Sequence, residues 1–148
     1  MDRKIADAKF RFGMTRNIFA VSNRNGETII VGGLDHQSRR WSRLLTRRAA
    51  HMMWFHLTTL LFPSKCSQVI SMAQTAPLGP VQMHRLTTFL SLTRRADTHL
   101  IEIFGQVGED TWSCFLDDLN AQRLWASLDA MLYPAGWEGT SIIRRKIN

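Results

Sequence analysis

Five arginines stand within ten residues of this sequence, and their spacing indicates a site that binds an anion. They are Arg39, Arg40, Arg43, Arg47 and Arg48, and Trp41 lies among them. Guanidinium groups pair with phosphate oxygens through parallel hydrogen bonds, and an exposed tryptophan offers a stacking surface to an unpaired base. The stretch therefore predicts a site for nucleic acid or another anion, in which the five arginines hold phosphate and Trp41 stacks on a base.

The arginines belong to a segment that the chain contains twice. Residues 40–63 align without a gap with residues 111–134, and 8 of these 24 positions are identical. The identical pairs are Trp41/Trp112, Ser42/Ser113, Leu45/Leu116, Ala50/Ala121, Trp54/Trp125, Leu57/Leu128, Leu61/Leu132 and Pro63/Pro134. Similarity at a fixed offset is typical of a repeated structural unit. We therefore predict a single domain over residues 1–148, made by an internal duplication of about 14–74 and 83–145.

Each copy of this segment has the pattern of a strand followed by a helix. Residues 112–116 have strand character, and Asp117 or Asp118 is a typical helix N-cap. By register, residues 40–45 form a strand and Thr46 caps the first helix. Apolar residues then recur every three or four positions, and a proline ends each pattern. The helices are predicted at about 46–62 and 117–133.

Further strands are predicted ahead of each strand–helix pair. They are expected at residues 17–22, 28–31, 68–72, 87–93 and 99–105, and an Asn25-Gly26 hairpin turn joins the first two. The predicted fold class is α+β. Two pseudo-symmetric units, each an antiparallel sheet of three or four strands followed by one helix, make up one compact domain.

The net charge of +7 is unevenly distributed along the 148 residues. Residues 1–65 carry 12 Lys or Arg against 4 acidic residues, whereas residues 97–139 carry 8 acidic residues against Arg123 alone. A molecule polarised in this way attracts polyanions to its basic side, or a copy of itself in the opposite orientation. Single-stranded nucleic acid, an acidic protein and a homo-oligomer are therefore the partners that the sequence suggests.

The two copies differ in the charge at the start of the helix. The second helix opens with Asp117-Asp118, whose charge suits a helix N-terminus, but the first opens with Thr46-Arg47-Arg48. A bound anion would offset the unfavourable free energy of placing these cations at the helix N-terminus. A solvated face, or pairing with the acidic second copy, accounts for them equally well.

Alternation along the first copy's strand places Trp41 and Arg43 on one face of the sheet. Arg43 stands where the second copy has Cys114. If the helix covers the other face, which carries Leu44, Trp41 is exposed beside Arg43 and is free to stack on a base. The alternative is that Trp41 and Trp112 lie in the core or in a dimer contact.

The first helix carries a second apolar side. Met52, Phe55 and His56 occupy positions where the second copy has less apolar residues. Exposed methionine and phenylalanine form apolar surface patches that favour association. These three residues are therefore predicted to contact the other copy or another subunit of a homodimer or larger homo-oligomer.

The sequence contains no recognisable catalytic, metal-binding or cofactor-binding motif. His51 and His56 are five positions apart and diverge on a helix, and no cysteine or acidic residue completes a metal set. A phosphate-binding glycine loop is absent, and the longest apolar run is too short to cross a membrane. Cys66 and Cys114 provide no disulfide scaffold. We expect a non-enzymatic, cytoplasmic protein with no cofactor and no membrane association.

The repeated order of strands and helix resembles the tandem repeats of the whirly proteins and of the PUR-repeat proteins. Those families bind single-stranded nucleic acid with their sheet surfaces, and the resemblance implies the same kind of ligand. It concerns layout alone, since the lysine-rich KGKAAL-type strand of the whirly family is absent here. The leading hypothesis is a nucleic-acid-binding module that prefers single strands. The alternative is a protein-interaction or assembly module with no nucleic-acid role.

Overall fold

Seven strands and two α-helices make up the part of the chain that the computed structural model describes, residues 8–22, 28–65 and 86–133. In chain order they are β1 (Phe10–Met14), β2 (Arg16–Ser22), β3 (Thr28–Leu34), β4 (Arg40–Thr46), α1 (Arg47–Leu61), β5 (Phe89–Arg94), β6 (Ile101–Val107), β7 (Asp110–Leu116) and α2 (Asp118–Leu132). The predicted fold class is confirmed: two similar units, each a sheet followed by a helix, form one α+β domain. The predicted Asn25-Gly26 turn and the strand at 68–72 lie outside the described residues.

The strands form two sheets, and a segment ahead of each unit pairs with the sheet of the other unit. One sheet has the order β2-β3-β4, and the other has the order β1-β7-β6-β5. Among the described strands, β1 alone pairs in parallel with its neighbour, β7. Because Thr15 alone separates β1 from β2, this stretch begins in the second unit's sheet and ends in the first unit's. The residues before β5 run from the first unit's sheet to the second unit's. Thr87 forms a parallel bridge with Leu45 of β4, and the chain then enters the other sheet as β5.

Threonines at the two crossings make matching hydrogen bonds. The backbone N–H of Thr15 donates to the carbonyl of Phe115 at 2.9 Å, and that of Thr87 donates to the carbonyl of Leu44 at 2.7 Å. Each hydroxyl oxygen accepts from the indole N–H of its own unit's strand tryptophan, at 3.3 Å in the first unit and 3.0 Å in the second. Since Leu44 and Phe115 are equivalent positions, both crossings follow one pseudo-twofold arrangement.

The two helices repeat this reciprocity where they meet. The indole N–H of Trp54 donates to Asp129 at 3.0 Å, and that of Trp125 donates to the hydroxyl of Thr58 at 2.7 Å. Trp125 is the counterpart of Trp54, and Asp129 is the counterpart of Thr58. The tryptophan of each helix thus donates a hydrogen bond to the equivalent position of the other helix, as a twofold relation requires. Besides the other helix, each helix packs mainly on the first antiparallel strand of the other unit, α1 on β5 and α2 on β2.

The predicted apolar stripes of the helices form the centre of one hydrophobic core. Their buried members are Ala50, Met53, Trp54 and Leu57 in α1, and Ala121, Leu124, Trp125, Leu128 and Leu132 in α2. Burial of each large side chain contributes about 1.5–3 kcal/mol. The predicted caps are also confirmed, since Thr46 accepts from Ala49 N–H and Asp117 accepts from Asn120 N–H. In the described part of the chain, neither helix has the length and apolar character needed to cross a membrane.

Candidate nucleic-acid interface

Two of the predicted arginines, Arg40 and Arg43, line a common groove beside β4. The groove has a cavity of about 760 Å³ bounded by Arg40, Arg43 and the aromatic residues Phe12 and Phe19. A second cavity of about 370 Å³ lies on the other side of Arg43 and includes Phe10. Both cavities are lined by Ser42 and Arg43, and we call the two together the Arg43 groove.

The Arg43 side chain is held in this groove by aromatic rings. Its guanidinium carbon lies 5.1 Å from the centroid of Phe10 and 4.8 Å from that of Phe12, both within cation–π range. Its Nη1 donates to the Ser42 carbonyl at 2.7 Å. No carboxylate in residues 8–22, 28–65 or 86–133 lies within 4.0 Å of it. Arg43 therefore presents a positive charge that the described part of the protein does not neutralise by contact.

Partial burial lowers the pKa of Arg43, and the nearby charge of Asp110 opposes that effect. The guanidinium nevertheless remains protonated at any physiological pH. Asp110 itself is paired with Lys9 at 3.0 Å. A half-buried, permanent cation attracts an anionic ligand more strongly than a fully solvated one, because less water screens it.

The sheet surface beside the groove carries exposed aromatic and apolar side chains. Phe19 of β2 is 39% exposed, and its ring lies over Gly32, where an added Cβ would approach Phe19 Cζ to 2.9 Å. Phe19, Gly32 and Ser42 are register neighbours across the three strands. The absence of a side chain at Gly32 thus leaves room for the Phe19 ring to pack against the sheet. A half-exposed ring beside arginines is a suitable stacking surface for a base.

The expectation that Trp41 is exposed is wrong. Its side chain is only 7% exposed, and its ring stacks on Phe12 with centroids 4.3 Å apart and planes 5° from parallel. Its counterpart Trp112 is 1% exposed. The helices cover the face that carries Trp41 and Leu45, whereas Leu44 on the opposite face is 39% exposed. The alternative, that both tryptophans belong to the core, is the correct one, and the phenylalanines take the exposed position instead.

The remaining predicted arginines lie outside the groove. Arg39 is close to Asp35, with 3.5 Å between its Nε and a carboxylate oxygen. Arg47 and Arg48 begin α1 at the far end of β4, about 20 Å along the strand from Arg40. The Nε of Arg48 is buried without a hydrogen-bond partner in the described part of the chain. Arg47 and Arg48 thus belong to a separate basic area at the helix start.

Arg47 lies close to a polar cluster at the end of the helix pair. His51 Nε2 is 2.7 Å from the hydroxyl of Tyr133. Burial, assisted by the charge of Arg47, lowers the pKa of His51 to about 4, and burial raises the pKa of Tyr133 to about 12. Both groups are therefore neutral at physiological pH. Gln122 and Phe62 occupy the equivalent positions, so the twofold relation does not repeat this His–Tyr contact.

The three residues predicted to form an interface are all half-buried. Phe55 packs against the core, and its ring contacts that of His56 at 5.6 Å between centroids. Met52 is also partly covered, and burial lowers the pKa of His56. Contact of these residues with another subunit stays a prediction.

Sequence reasoning missed the three phenylalanines that shape the groove. Phe10 and Phe12 flank Arg11, and Phe19 lies within the apolar run of β2, but neither pattern indicates which residues these rings contact. Phe10 and Phe12 reach Arg43 only because β1 pairs with β7, about 100 residues away in sequence. The available signal was the conjunction of aromatic and basic residues over residues 9–19.

Comparisons with models of protein families, with curated proteins and with solved structures returned no match. In the described residues, no three histidine, cysteine, aspartate or glutamate side chains converge as a metal set would. The function is therefore argued below from the groove itself.

Proposed function

We propose that this protein binds single-stranded nucleic acid in the Arg43 groove, without catalysing a reaction. The observation that supports this most strongly is Arg43 itself, a half-buried cation held between two phenylalanine rings and free of any carboxylate contact in the described part of the chain. Arg40 lines the same groove. Phosphate oxygens are natural ligands for such a pair of guanidinium groups.

The arrangement of aromatic residues favours unpaired over paired strands. Phe10 and Phe19 are each 39% exposed on either side of Arg43. Base-on-aromatic stacking contributes about 1–3 kcal/mol per base and requires bases that are not already stacked in a duplex. In this proposal Arg40 and Arg43 contact the backbone, and the exposed parts of Phe10 and Phe19 receive bases. The net charge of +7 adds long-range attraction for the polyanion.

Fluorescence anisotropy with a labelled oligothymidylate tests the proposal. We expect binding that weakens with salt, and a loss of about tenfold in affinity for Arg43→Ala. The slope of log K against log salt should fall in magnitude by about 0.7 for each phosphate contact removed. Phe19→Ala should weaken binding with little change in that slope, because stacking releases no counterions.

Arg94→Ala is the matched control, since Arg94 lies in β5 and pairs with Asp118 at 3.0 Å, away from the groove. It removes the same charge from the molecule and should leave the affinity nearly unchanged. Absence of binding at low salt, or equal losses for Arg43→Ala and Arg94→Ala, would refute a role for the groove.

A second function, that of an assembly module, is favoured by one feature of the same sheet. Val21, Ile30 and Leu44 are register neighbours across β2, β3 and β4, and Val21 and Leu44 are 46% and 39% exposed. A row of apolar side chains on an open sheet suits a protein contact, with a second copy or an acidic partner. The polarised charge of the chain would orient such a contact.

Sedimentation velocity with Leu44→Lys separates the two functions. If the sheet serves assembly, the wild-type protein should sediment as an oligomer and Leu44→Lys as a monomer. If it serves nucleic acid, the wild-type protein should bind the oligonucleotide as a monomer, and Leu44→Lys should bind at least as tightly because it adds a cation at the edge of the groove.

A further inference from the structure

A second large cavity lies on the outer face of the other sheet, and none of its lining residues belongs to the Arg43 groove. It measures about 750 Å³, within the range of small-molecule sites. In the described part of the chain it is lined by Arg11, Gly13, Met14, His36, Arg95, Thr98, Leu100, Glu102, Ser113 and Phe115. The strands β1, β7 and β6 contribute neighbouring positions, since Arg11 pairs with Ser113 and Glu102 pairs with Phe115 in the sheet registers.

The lining combines an apolar body with cationic groups. Met14, Leu100 and Phe115 are half-buried apolar side chains. Arg11 is exposed beside them and has no carboxylate within 4.0 Å in residues 8–22, 28–65 and 86–133. Its Nε donates to the carbonyl of Ala8 at 3.2 Å, and this hydrogen bond restricts the orientation of the guanidinium group. His36 is fixed by a contact of 2.9 Å between its Nδ1 and the Phe12 carbonyl.

The His36 contact determines which ring nitrogen faces outward. A carbonyl oxygen only accepts, so Nδ1 must carry the hydrogen in that contact. Nε2 is then an acceptor, free to take a hydrogen bond from a donor group of a ligand or from water. The β3–β4 connection thereby brings a residue of the first unit to a cavity of the second.

A buried ion pair holds one wall of the cavity in place. Arg95 lies 2.8 Å from Glu102, whose side chain is 1% exposed, and also pairs with Asp97 through Nε at 3.1 Å. The fold itself does not require a charge at this position, because the sheet registers place Ile30 at the equivalent position of the first unit. A buried ion pair is commonly no more stabilising than apolar residues of similar size. The pair is therefore better explained by a role in positioning Arg95 at the cavity than by a role in stabilising the fold.

From these observations we infer that the cavity binds a small amphipathic organic anion. Arg11, together with the fixed Arg95, receives its carboxylate or similar head group, and Met14, Leu100 and Phe115 receive its apolar body. A nucleic acid strand does not fit this chemistry, because its anionic groups are separated from its apolar base faces by a sugar. This site is independent of the proposed nucleic-acid function.

Isothermal titration of the full chain with octanoate tests the inference. We expect saturable binding at one site per chain. Binding of 1-octanol, which has the same chain without the charge, should be at least about tenfold weaker, and so should that of acetate, which has the charge without the chain. Equal affinity for octanoate and octanol, or no saturable octanoate binding, would overturn the inference.

Two variants locate the site. Arg11→Ala should weaken octanoate binding by about tenfold, and Leu100→Glu should abolish it by placing a carboxylate in the cavity. Both residues lie at the surface or in a loop, and circular dichroism melting confirms that each variant is folded. Arg43→Ala is the control and should leave octanoate affinity unchanged. Displacement of octanoate by an oligonucleotide, or loss of its binding in Arg43→Ala, would place it in the Arg43 groove and contradict the inference.

Discussion

The strands β4 and β7 occupy equivalent places in the two units, yet they present opposite chemistry at one position. Cys114 of β7 is fully buried, and burial raises the pKa of its thiol to about 12. Its counterpart Arg43 is half-exposed between two phenylalanine rings in a groove. The difference arises because β1 pairs alongside Cys114, whereas the described part of the segment before β5 reaches β4 only at Leu44 and beyond. The same fold thus buries one position and exposes the other.

This comparison separates what the fold requires from what it leaves free. Residues shared by both units, such as Trp54 and Trp125, lie in the core and bond across the pseudo-twofold axis. Residues that differ include Arg43, and also Glu102, which the first unit replaces by Ile30. Where the two units carry different residues at equivalent positions, the fold does not require either residue. Such positions are the ones to examine for function. Exchanges between the two units therefore provide the sharpest tests.

The largest expected effect concerns the buried pair of Arg95 and Glu102. Arg95→Ala removes the Arg95 cation from beside the buried Glu102 carboxylate, and we expect the free energy of unfolding to fall by about 3 kcal/mol. Glu102→Ile copies the first unit's Ile30 and should change it by less than about 1 kcal/mol. Urea denaturation of both variants measures the difference. Equal losses for the two substitutions would mean that the carboxylate is required by the fold, against the comparison with Ile30.

A smaller effect is expected from pH, through His51. Its folded pKa is lowered to about 4 from 6.5, so the unfolded chain binds a proton that the folded protein does not take up between these values. Stability should therefore fall as the pH drops from about 6.5 towards 4 and should level off below that. We expect this contribution to be about 2 kcal/mol.

His51→Gln, which copies Gln122 of the second unit, should flatten this part of the profile. Thermal melts of both proteins between pH 7 and pH 4.5 measure it. The lowered pKa values of Asp35 and Asp97 act in another window, since their stabilisation is present above about 3.8 and is lost only below it. A profile that keeps its slope in His51→Gln would assign the titration to another group such as His56.

The smallest effect concerns the two helix starts. Arg48→Glu places a negative charge in the first turn of α1 and should stabilise the protein by about 0.3–1 kcal/mol. Leu119→Arg makes the opposite change at the equivalent position of α2, where Leu119 is 55% exposed, and should destabilise it by a similar amount. Both shifts should shrink in high salt. If Arg48→Glu destabilises instead, Arg48 has a structural partner that outweighs the helix dipole.

Local sequence signals predicted the helices and their caps well. The gap-free match between the two copies placed strand-then-helix at Arg40, although periodicity alone would suggest one long helix there. Thr46 and Asp117 cap as expected because an N-cap depends on neighbouring residues only. The confirmed helix bounds, Arg47–Leu61 and Asp118–Leu132, lie within one or two residues of those predicted.

The candidate site was harder to predict because it depends on contacts between distant segments. The covered face of β4 could not be chosen from alternation, which fits either face, and this led to the wrong expectation for Trp41. Phe12 takes the place beside Trp41 through a strand pairing that crosses between units. The groove therefore contains Arg40 and Arg43 as predicted, but its aromatic residues come from β1 and β2.

The most direct test of the Arg43 groove is an NMR titration of the labelled protein with an unpaired oligonucleotide at low salt. The account predicts that shift changes concentrate on Phe10, Phe19 and the side chain of Arg43. The second unit's equivalents of Phe19 and Arg43, Ser91 and Cys114, should remain unchanged. Changes centred on those second-unit positions, or no change at any position, would contradict the account.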